Sequence, residues 1–379
     1  MYIYYQIHLF LFKEDIHMKI QSCVTKKDIN KLIKFKRELY KEDVNFKNND
    51  EILLKEVISK KSSFNNENYV EPILVTKNDI VIGGCVIIHA PSYKNFVQIA
   101  FIDFIEEDGC DIVANIIEYA RKKAIDFNAE KIVIGLNGHV NYGLGILISG
   151  FNHKQSFGGI YNKEYYGKII ERFSPDITYL DSFSREMSGF DISKYDKIIQ
   201  RANNKFTYRY LNKKDLKTDS KIYNELNNII FKEHSFYYQR SEKSDYELFK
   251  DLSYLIKDNH LIFAYKDNEP VGFLLWYPDY NELLKKKEYF SLHTILKNKL
   301  FAKYIKKCKI AEIGVLPKYK NSGVIMGLFN EFYKITKDRY HFVESSWILA
   351  TNFKSRNFGV KFDANEYKKF AVYEIDVKV

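Results

Sequence analysis

Apolar and polar positions along this chain follow two periods, and the order in which they alternate occurs twice. In the first half, Lys19–Val24 reads as a short strand. Lys27–Tyr40 then sets Ile29, Leu32, Ile33 and Phe35 three or four residues apart, the spacing that gathers side chains on one helical face. A second helix is expected over Glu51–Lys60. Val70–Thr76 and Ile80–His89 flank Asn78-Asp79 as a β-hairpin, and Phe96–Phe104 is another strand. Ile112, Val113, Ile116, Ile117, Ala120 and Ala124 form a helical stripe ending near Asn128, and Lys131–Gly135 is the strand after it.

The second half repeats this order. Thr207–Leu211 is a strand, Ser220–Lys232 and Asp245–Ile256 are helical, and Leu261–Tyr265 with Val271–Tyr277 make a hairpin around Lys266-Asp267-Asn268-Glu269. The strand Ile310–Leu316, the helix Gly323–Lys337 and the strand His341–Ile348 follow, with Val324, Leu328, Phe329 and Phe332 on one side of the helix. Strand, helices, hairpin, strand, helix, strand is thus one unit used twice, giving an α/β (α+β) mixed sheet in each copy. At 379 residues the chain suits two domains, 18–185 and 206–379, joined by a polar connection over 186–205.

Composition narrows the class. With 46% hydrophobic and 16% aromatic residues there is material for two cores, and 17 Gly with 6 Pro leave little for a long disordered linker. The formal charge of +10 favours anionic partners, but the lysines are spread along the whole chain and no recognised nucleic-acid motif occurs, so no specific nucleic acid is expected. Cys23, Cys85, Cys110 and Cys308 lie far apart without a Cys-x-x-Cys pair, and the histidines lack ligand spacing. Neither zinc site nor disulfide framework is indicated, no metal is expected, and the pattern fits a reducing cytoplasm. Met1–Phe12 is apolar but too short to span a bilayer, so no membrane partner is expected; residues 1–17 read as an extension ahead of the first strand.

The most informative stretch is Ile313-Gly314-Val315-Leu316-Pro317-Lys318-Tyr319-Lys320-Asn321-Ser322-Gly323-Val324, an apolar strand that stops at a basic turn and enters a helix. Unpaired amides and partial positive charge at a helix N-terminus make such a turn a phosphate cradle. The plain alternative is a strand–turn–helix connection. With Ile325, the run resembles the acetyl-CoA pyrophosphate loop of the GNAT N-acetyltransferase superfamily, whose usual pattern is Arg/Gln-x-x-Gly-x-Gly/Ala. Lys320 stands in the first position and Gly323 matches, while Ile325 departs from the small third residue.

The resemblance extends to bacterial tandem-GNAT proteins of about this length. It is carried in the first half by Glu38–Asp43, Asn141–Phe151 and Tyr161–Tyr166, and in the second by Trp276–Asn281, Glu344–Ile348, Asn352 and Lys368–Glu374. It implies two tandem GNAT-like domains, each a mostly antiparallel mixed sheet whose fourth and fifth strands run parallel and splay apart to admit CoA. It further implies that pantetheine pairs with Ile313, Gly314 and Val315, and that the backbone of Asn321, Ser322, Gly323, Val324 and Ile325, with Lys320, holds the pyrophosphate of acetyl-CoA or another acyl-CoA. The first copy has the acidic turn Glu106-Glu107-Asp108 after its fourth strand, which repels phosphate. The cofactor is therefore assigned to the second domain and the first is read as a degenerate copy.

For the chemistry, Glu312 and Glu344 are the expected bases, each with the alternative of an ordinary strand charge or ion pair. Asn352 is expected to bond pantetheine or thiol. Where many GNAT enzymes carry an acid Tyr this chain has Gly359, which leaves Tyr367 or Tyr373 as substitutes, or no dedicated acid. His234, Tyr237, Tyr238, Trp276, Asp279 and Asn281 are candidates for the acceptor wall, Asp279 as an ammonium holder or a turn former. The implied activity is acyl transfer from CoA to an unidentified amine. The alternatives are a weakened tandem GNAT protein acting as a ligand-binding scaffold, and a Fem-type aminoacyl transferase.

Overall fold

The structure, a computed structural model, describes residues 18–93, 95–362 and 364–378, so the expected extension over 1–17 lies outside the described residues. The first half runs β1 (Met18–Ser22), α1 (Lys26–Leu39), α2 (Glu51–Val57), α3 (Ser63–Glu67), β2 (Tyr69–Lys77), β3 (Ile80–His89), β4 (Phe96–Phe104), α4 (Gly109–Asp126), β5 (Lys131–Ile134), β6 (Ile146–Ser149), α5 (Tyr165–Ile170) and β7 (Asp176–Glu186). The second runs α6 (Asp196–Asn203), β8 (Thr207–Tyr210), α7 (Leu216–Ile230), α8 (Glu242–Leu252), β9 (Leu261–Lys266), β10 (Glu269–Pro278), α9 (Leu292–Phe301), β11 (Lys307–Val315), α10 (Val324–Thr336), β12 (Phe342–Ser345), β13 (Ile348–Leu349), α11 (Phe353–Lys361) and β14 (Asn365–Asp376).

Local chemistry sets these elements. Thr25 closes a capping box with Asp28 at the start of α1. Both hairpins turn on two left-handed residues, Asn78 (φ 51°) with Asp79 (φ 63°) and Asp267 (φ 51°) with Asn268 (φ 68°), the conformation a two-residue turn between twisted strands demands and Asn and Asp tolerate.

One sheet runs through the molecule in the order β1-β2-β3-β4-β5-β14-β7-β12-β11-β10-β9-β8, with β6 beside β14 and β13 beside β7. β4–β5 and β11–β12 are parallel, crossed over by α4 and α10; among the described residues the other neighbouring strands are antiparallel. The copies exchange their last strands. β14, from the chain's end, pairs with β5 (Ile134 opposite Tyr373), while β7 pairs with β12 (Ser184 opposite Glu344). Accordingly Ala371, Tyr373 and Ile375 of β14 sit in the first core with Ile73, Ile99 and Ile116, while Trp276, Leu328 and Phe332 centre the second.

Two expectations change here. The polar connection expected over 186–205 contains the last residue of β7, Glu186, and the helix α6, and neither β7 nor β14 shows clean alternation in the sequence. Asp181, Ser182 and Lys368 point into buried surroundings on these strands, because the neighbouring copy covers what would otherwise be a solvent face. Likewise the expected strand His341–Ile348 is divided into β12 and β13 where the chain leaves β11 to follow β7.

Candidate active site

β11 and β12 stay together only over four pairs, from Lys307 opposite Phe342 to Ile310 opposite Ser345, closed by Ser346 N–H donating to Ile310 O at 3.0 Å. Beyond that point Glu312–Val315 pair with β10, and Ala311 is the extra residue of a bulge between them and Ile310. Leu316 N–H donates to Val271 O at 2.8 Å, and antiparallel alternation from that bond turns the backbone groups of Ile313 and Val315 into the gap. A cavity of about 1440 Å³ occupies the gap and runs on into the first copy, touching Gly314, Lys320, Asn321, Ile325, Tyr277 and Glu312.

At the mouth of the gap, Pro317–Tyr319 makes a 3-10 turn and Gly323 caps α10 at φ 87°, a left-handed position that suits glycine. Among the described residues, no hydrogen bond takes the amides of Asn321, Gly323, Val324 or Ile325. Ser322 differs: its amide and hydroxyl both donate to Tyr319 O, at 3.1 and 2.7 Å. Val324 is fully buried, and the Ile325 side chain packs partly into the core.

The corresponding edge in the first copy is partly taken up by side chains. β4 pairs with β5 from Phe96 to Ile99 and then parts from it. Ile105 N–H donates to Ile82 O, which makes Phe104 the counterpart of Val315. Phe104 N–H donates to Tyr166 Oη at 2.9 Å, Tyr165 Oη donates to Phe104 O at 2.5 Å, and Phe101 N–H donates to Asn137 Oδ1 at 2.8 Å. Behind them Tyr40 and Tyr166 donate to Asp103, which also pairs with Lys36 at 3.2 Å. Burial works to lower the Lys36 pKa, but the Asp103 and Asp50 carboxylates outweigh it and keep the ammonium charged.

The two candidate bases have opposite environments. Glu312 is half-buried, facing the cavity from the α7 side of β11. Its Oε2 accepts from Tyr223 Oη at 2.5 Å and Asn227 Nδ2 at 2.9 Å. Burial lifts its pKa to about 7 against the pull of these donors and Arg240. Glu344 is buried; desolvation would raise its pKa, but Lys368, Lys307 and Lys309, with a hydrogen bond from Ser156, hold it down at about 2. In the same cluster burial lowers Lys309 to about 8. Glu312 can thus exchange a proton near neutral pH, whereas Glu344 is a fixed anion at the closed vertex of the gap.

Other expected site residues are placed as follows. Asn352 lies at the cavity, but its Oδ1 accepts from Ser355 N–H at 3.2 Å as the cap of α11. Tyr367 is not in the cavity lining: its hydroxyl is buried against Glu344 and Ser156, and Tyr373 donates to Glu171 at 3.2 Å in the first core. A Cβ at Gly359 would stand 3.2 Å from the Phe183 ring on the exchanged strand β7, a tight contact to which the ring would have to yield. Asp279 accepts from Phe157 N–H at 2.7 Å, caps the turn at Asn281 and pairs with Lys307 at 3.4 Å, so the ammonium it faces belongs to this chain. Trp276 is core, donating to Asn259 O at 2.7 Å. His234 lines the cavity, its pKa lowered by burial to about 4, while Tyr237 and Tyr238 donate to Asn228 and Gly138 O.

Sequence reasoning missed Tyr223, Asn227 and the contact of Asn141, whose Nδ2 donates to Tyr223 Oη at 3.0 Å. A hydrogen-bonded line therefore runs from Asn141 in the first copy through Tyr223 to Glu312. Asn141 lies in a motif noted in the sequence, but its meeting with α7 depends on how the copies pack.

Residues 223–362 match the model of the acetyltransferase (GNAT) family. Protein YghO of Escherichia coli (strain K12) is 22% identical over 380 residues, covering 94% of each chain. Among solved structures, a tandem GNAT protein from the clavulanic acid biosynthesis pathway superposes with a TM-score of 0.54 at 8% identity, covering 96% of this chain and 99% of that one. The GCN5-related glucosamine N-acetyltransferase region of a fungal multi-domain GH3 β-N-acetylglucosaminidase gives 0.57 at 11% identity; 95% of this chain is covered but only 38% of the fungal one. These structures establish likeness of fold. Among the described residues no helix is long and apolar enough to cross a membrane, and no group of three or more His, Cys, Asp or Glu is placed to hold a metal ion.

Proposed function

We propose that the protein is a cytoplasmic CoA-dependent N-acyltransferase whose acyl-CoA site is the gap beside β11; the match of residues 223–362 to the acetyltransferase (GNAT) family model and the fold shared with a tandem GNAT protein support this reading. The observation that carries this reading is the open edge at Ile313 and Val315, next to the free amides of Asn321, Gly323, Val324 and Ile325. Those groups match the needs of an extended pantetheine amide chain and a pyrophosphate. Residues 206–379, completed by β7, form the acyl-CoA domain in this reading, and 18–185 is a copy whose gap is partly taken up by side chains.

Acyl-CoA supplies an activated carbonyl and a thiolate leaving group. Ile313 and Val315 orient it, and Lys320 meets phosphate oxygens. Glu312 takes a proton from the acceptor ammonium, leaving the neutral amine that forms the new C–N bond as the C–S bond breaks; a further amine proton balances the thiolate to thiol. Tyr223 and Asn141 position Glu312, and Glu344 stays ionised throughout. Asn352 serves α11, and no side chain is assigned as a dedicated acid. Incubation with acetyl-CoA and longer acyl-CoAs, a panel of primary amines and a thiol reagent tests the reading: amine-dependent thiol release that Glu312→Gln removes supports it. Tight acyl-CoA binding without release for any pair would instead favour the ligand-binding scaffold, in keeping with Gly359 and the remote Tyr367.

A further inference from the structure

Acyl transfer leaves one feature unexplained, the connection between β10 and β11. Its counterpart between β3 and β4 is residues 90–95, whereas here residues 279–306 intervene and include α9. Neighbouring antiparallel strands need no such length, and long connections in compact folds usually serve a function. The first part of the connection is tied to the other copy: Lys47 Nζ donates to Leu284 O at 2.8 Å, Phe290 N–H to Asn48 O at 3.2 Å, and Lys286 and Lys287 pair with Glu42. α9 then follows, with Thr294 buried and Ile295 against the core on its inner side.

Its outer side is apolar. Leu292, Leu296 and Leu300 are 80%, 57% and 70% exposed, and at i, i+4 and i+8 they form one row, extended by Phe301 at 46% and Tyr304 at 63%. Single exposed leucines are ordinary on soluble proteins, but a contiguous ridge marks a contact surface. The ridge lies in a strongly basic stretch of the chain. Residues 285–306 hold Lys285, Lys286, Lys287, Lys297, Lys299, Lys303 and Lys306 against one carboxylate, Glu288, which Lys297 holds at 2.6 Å. Lys299, Lys303 and Lys306 are exposed beside the leucines.

We propose that α9 docks the protein on an anionic lipid bilayer, with the leucine row entering the headgroup boundary and the flanking lysines meeting lipid phosphates. An apolar row edged with lysines has the two complementary parts such an interface requires. Leu292 and Ile295 also line the cavity, together with Tyr254, so docking sets this side of the cavity against the bilayer. A surface contact of this kind requires no spanning helix.

The test is flotation of the full-length protein with vesicles of phosphatidylglycerol and phosphatidylcholine, and with phosphatidylcholine alone. The protein should float with the anionic vesicles, stay behind with the neutral ones, and be released by high salt. Each of Leu292→Glu, Leu296→Glu and Leu300→Glu should lower partitioning about tenfold, and Lys299→Glu or Lys303→Glu about fivefold, with the melting temperature unchanged at these exposed positions. Failure of the wild type to float, or equal flotation of a triple leucine variant, would overturn the proposal. So would a dimer that the leucine variants convert to monomer without altering flotation, which makes a second copy the occupant. A lower melting temperature in those variants would show the row covered by the chain itself, and would overturn it as well.

Discussion

In each copy a pair of parallel strands parts company, and the two gaps have met different ends. Beside β4, the turn into the helix is short and acidic, and Tyr165, Tyr166 and Asn137 take the strand's free backbone groups. Beside β11, the turn is longer and basic and the edge at Ile313 and Val315 is bare; the large cavity that lies against it also reaches Phe101, Ile102 and Asp103 of β4. An unpaired strand edge inside a fold is costly unless something satisfies it. The first copy meets that requirement at Phe104 with its own tyrosines, and in the proposed reading the second leaves it for acyl-CoA. One fold used twice can thus hold a site in one copy and a structural partner in the other, and the strand exchange fixes the two against each other.

The comparison can be broken at several points. Glu344→Gln should have the largest effect on stability, about 3–5 kcal/mol, because the buried Lys309 and Lys368 and the half-buried Lys307 would be left around a neutral group; chemical denaturation measures it. Glu312→Gln should lower turnover by about a hundredfold or more while acyl-CoA affinity stays the same. In the wild type, kcat/KM should rise with pH through about 7 as Glu312 loses its proton, and the variant should lack that limb. The linked stability effect has a definite sign. A carboxyl raised from 4.5 to about 7 is protonated in both folded and unfolded chains at low pH and costs stability as pH rises across that interval, so Glu312→Gln should gain melting temperature relative to wild type between pH 5 and 8.

Smaller effects sharpen the contrast. Tyr166→Phe should cost about 1–3 kcal/mol by leaving Phe104 N–H and Asp103 short of a partner, and on the proposed assignment of acyl-CoA to the gap beside β11 it should not change acyl-CoA affinity. Asn141→Ala should be the mildest, lowering kcat a few-fold and shifting the apparent pKa near 7, with stability changed by about 1 kcal/mol or less. A pH profile identical to wild type would confine Asn141 to a structural role.

Much of this was legible in the residues. The paired hairpin turns Asn78-Asp79 and Asp267-Asn268 carry their own conformational preference, so both hairpins could be placed from sequence. The order of strands and crossover helices followed from periodicity, which is local. The exchange of β7 and β14 was not legible, because Asp181, Ser182 and Lys368 are buried by contacts from distant sequence and read as surface. The same holds for the site. Glu312 and Glu344 look alike as acids on neighbouring strands, and only the three-dimensional positions of Tyr223, Asn227 and the lysine cluster separate a titrating carboxyl from a fixed anion. Gly359, a gap in a familiar pattern, lies against Phe183 of the exchanged strand, a contact that local sequence does not show.

The account rests on a single acyl-CoA site beside β11, and isothermal titration of acetyl-CoA into the wild-type protein, Gly323→Glu and Asp108→Lys tests it most directly. One site per chain is expected. Gly323→Glu should remove it by setting a carboxylate at the free amides in a left-handed position, and Asp108→Lys, at the acidic turn of the first copy, should leave affinity and stoichiometry unchanged. Undiminished binding by Gly323→Glu, or loss of the site in Asp108→Lys with the fold intact, would contradict it.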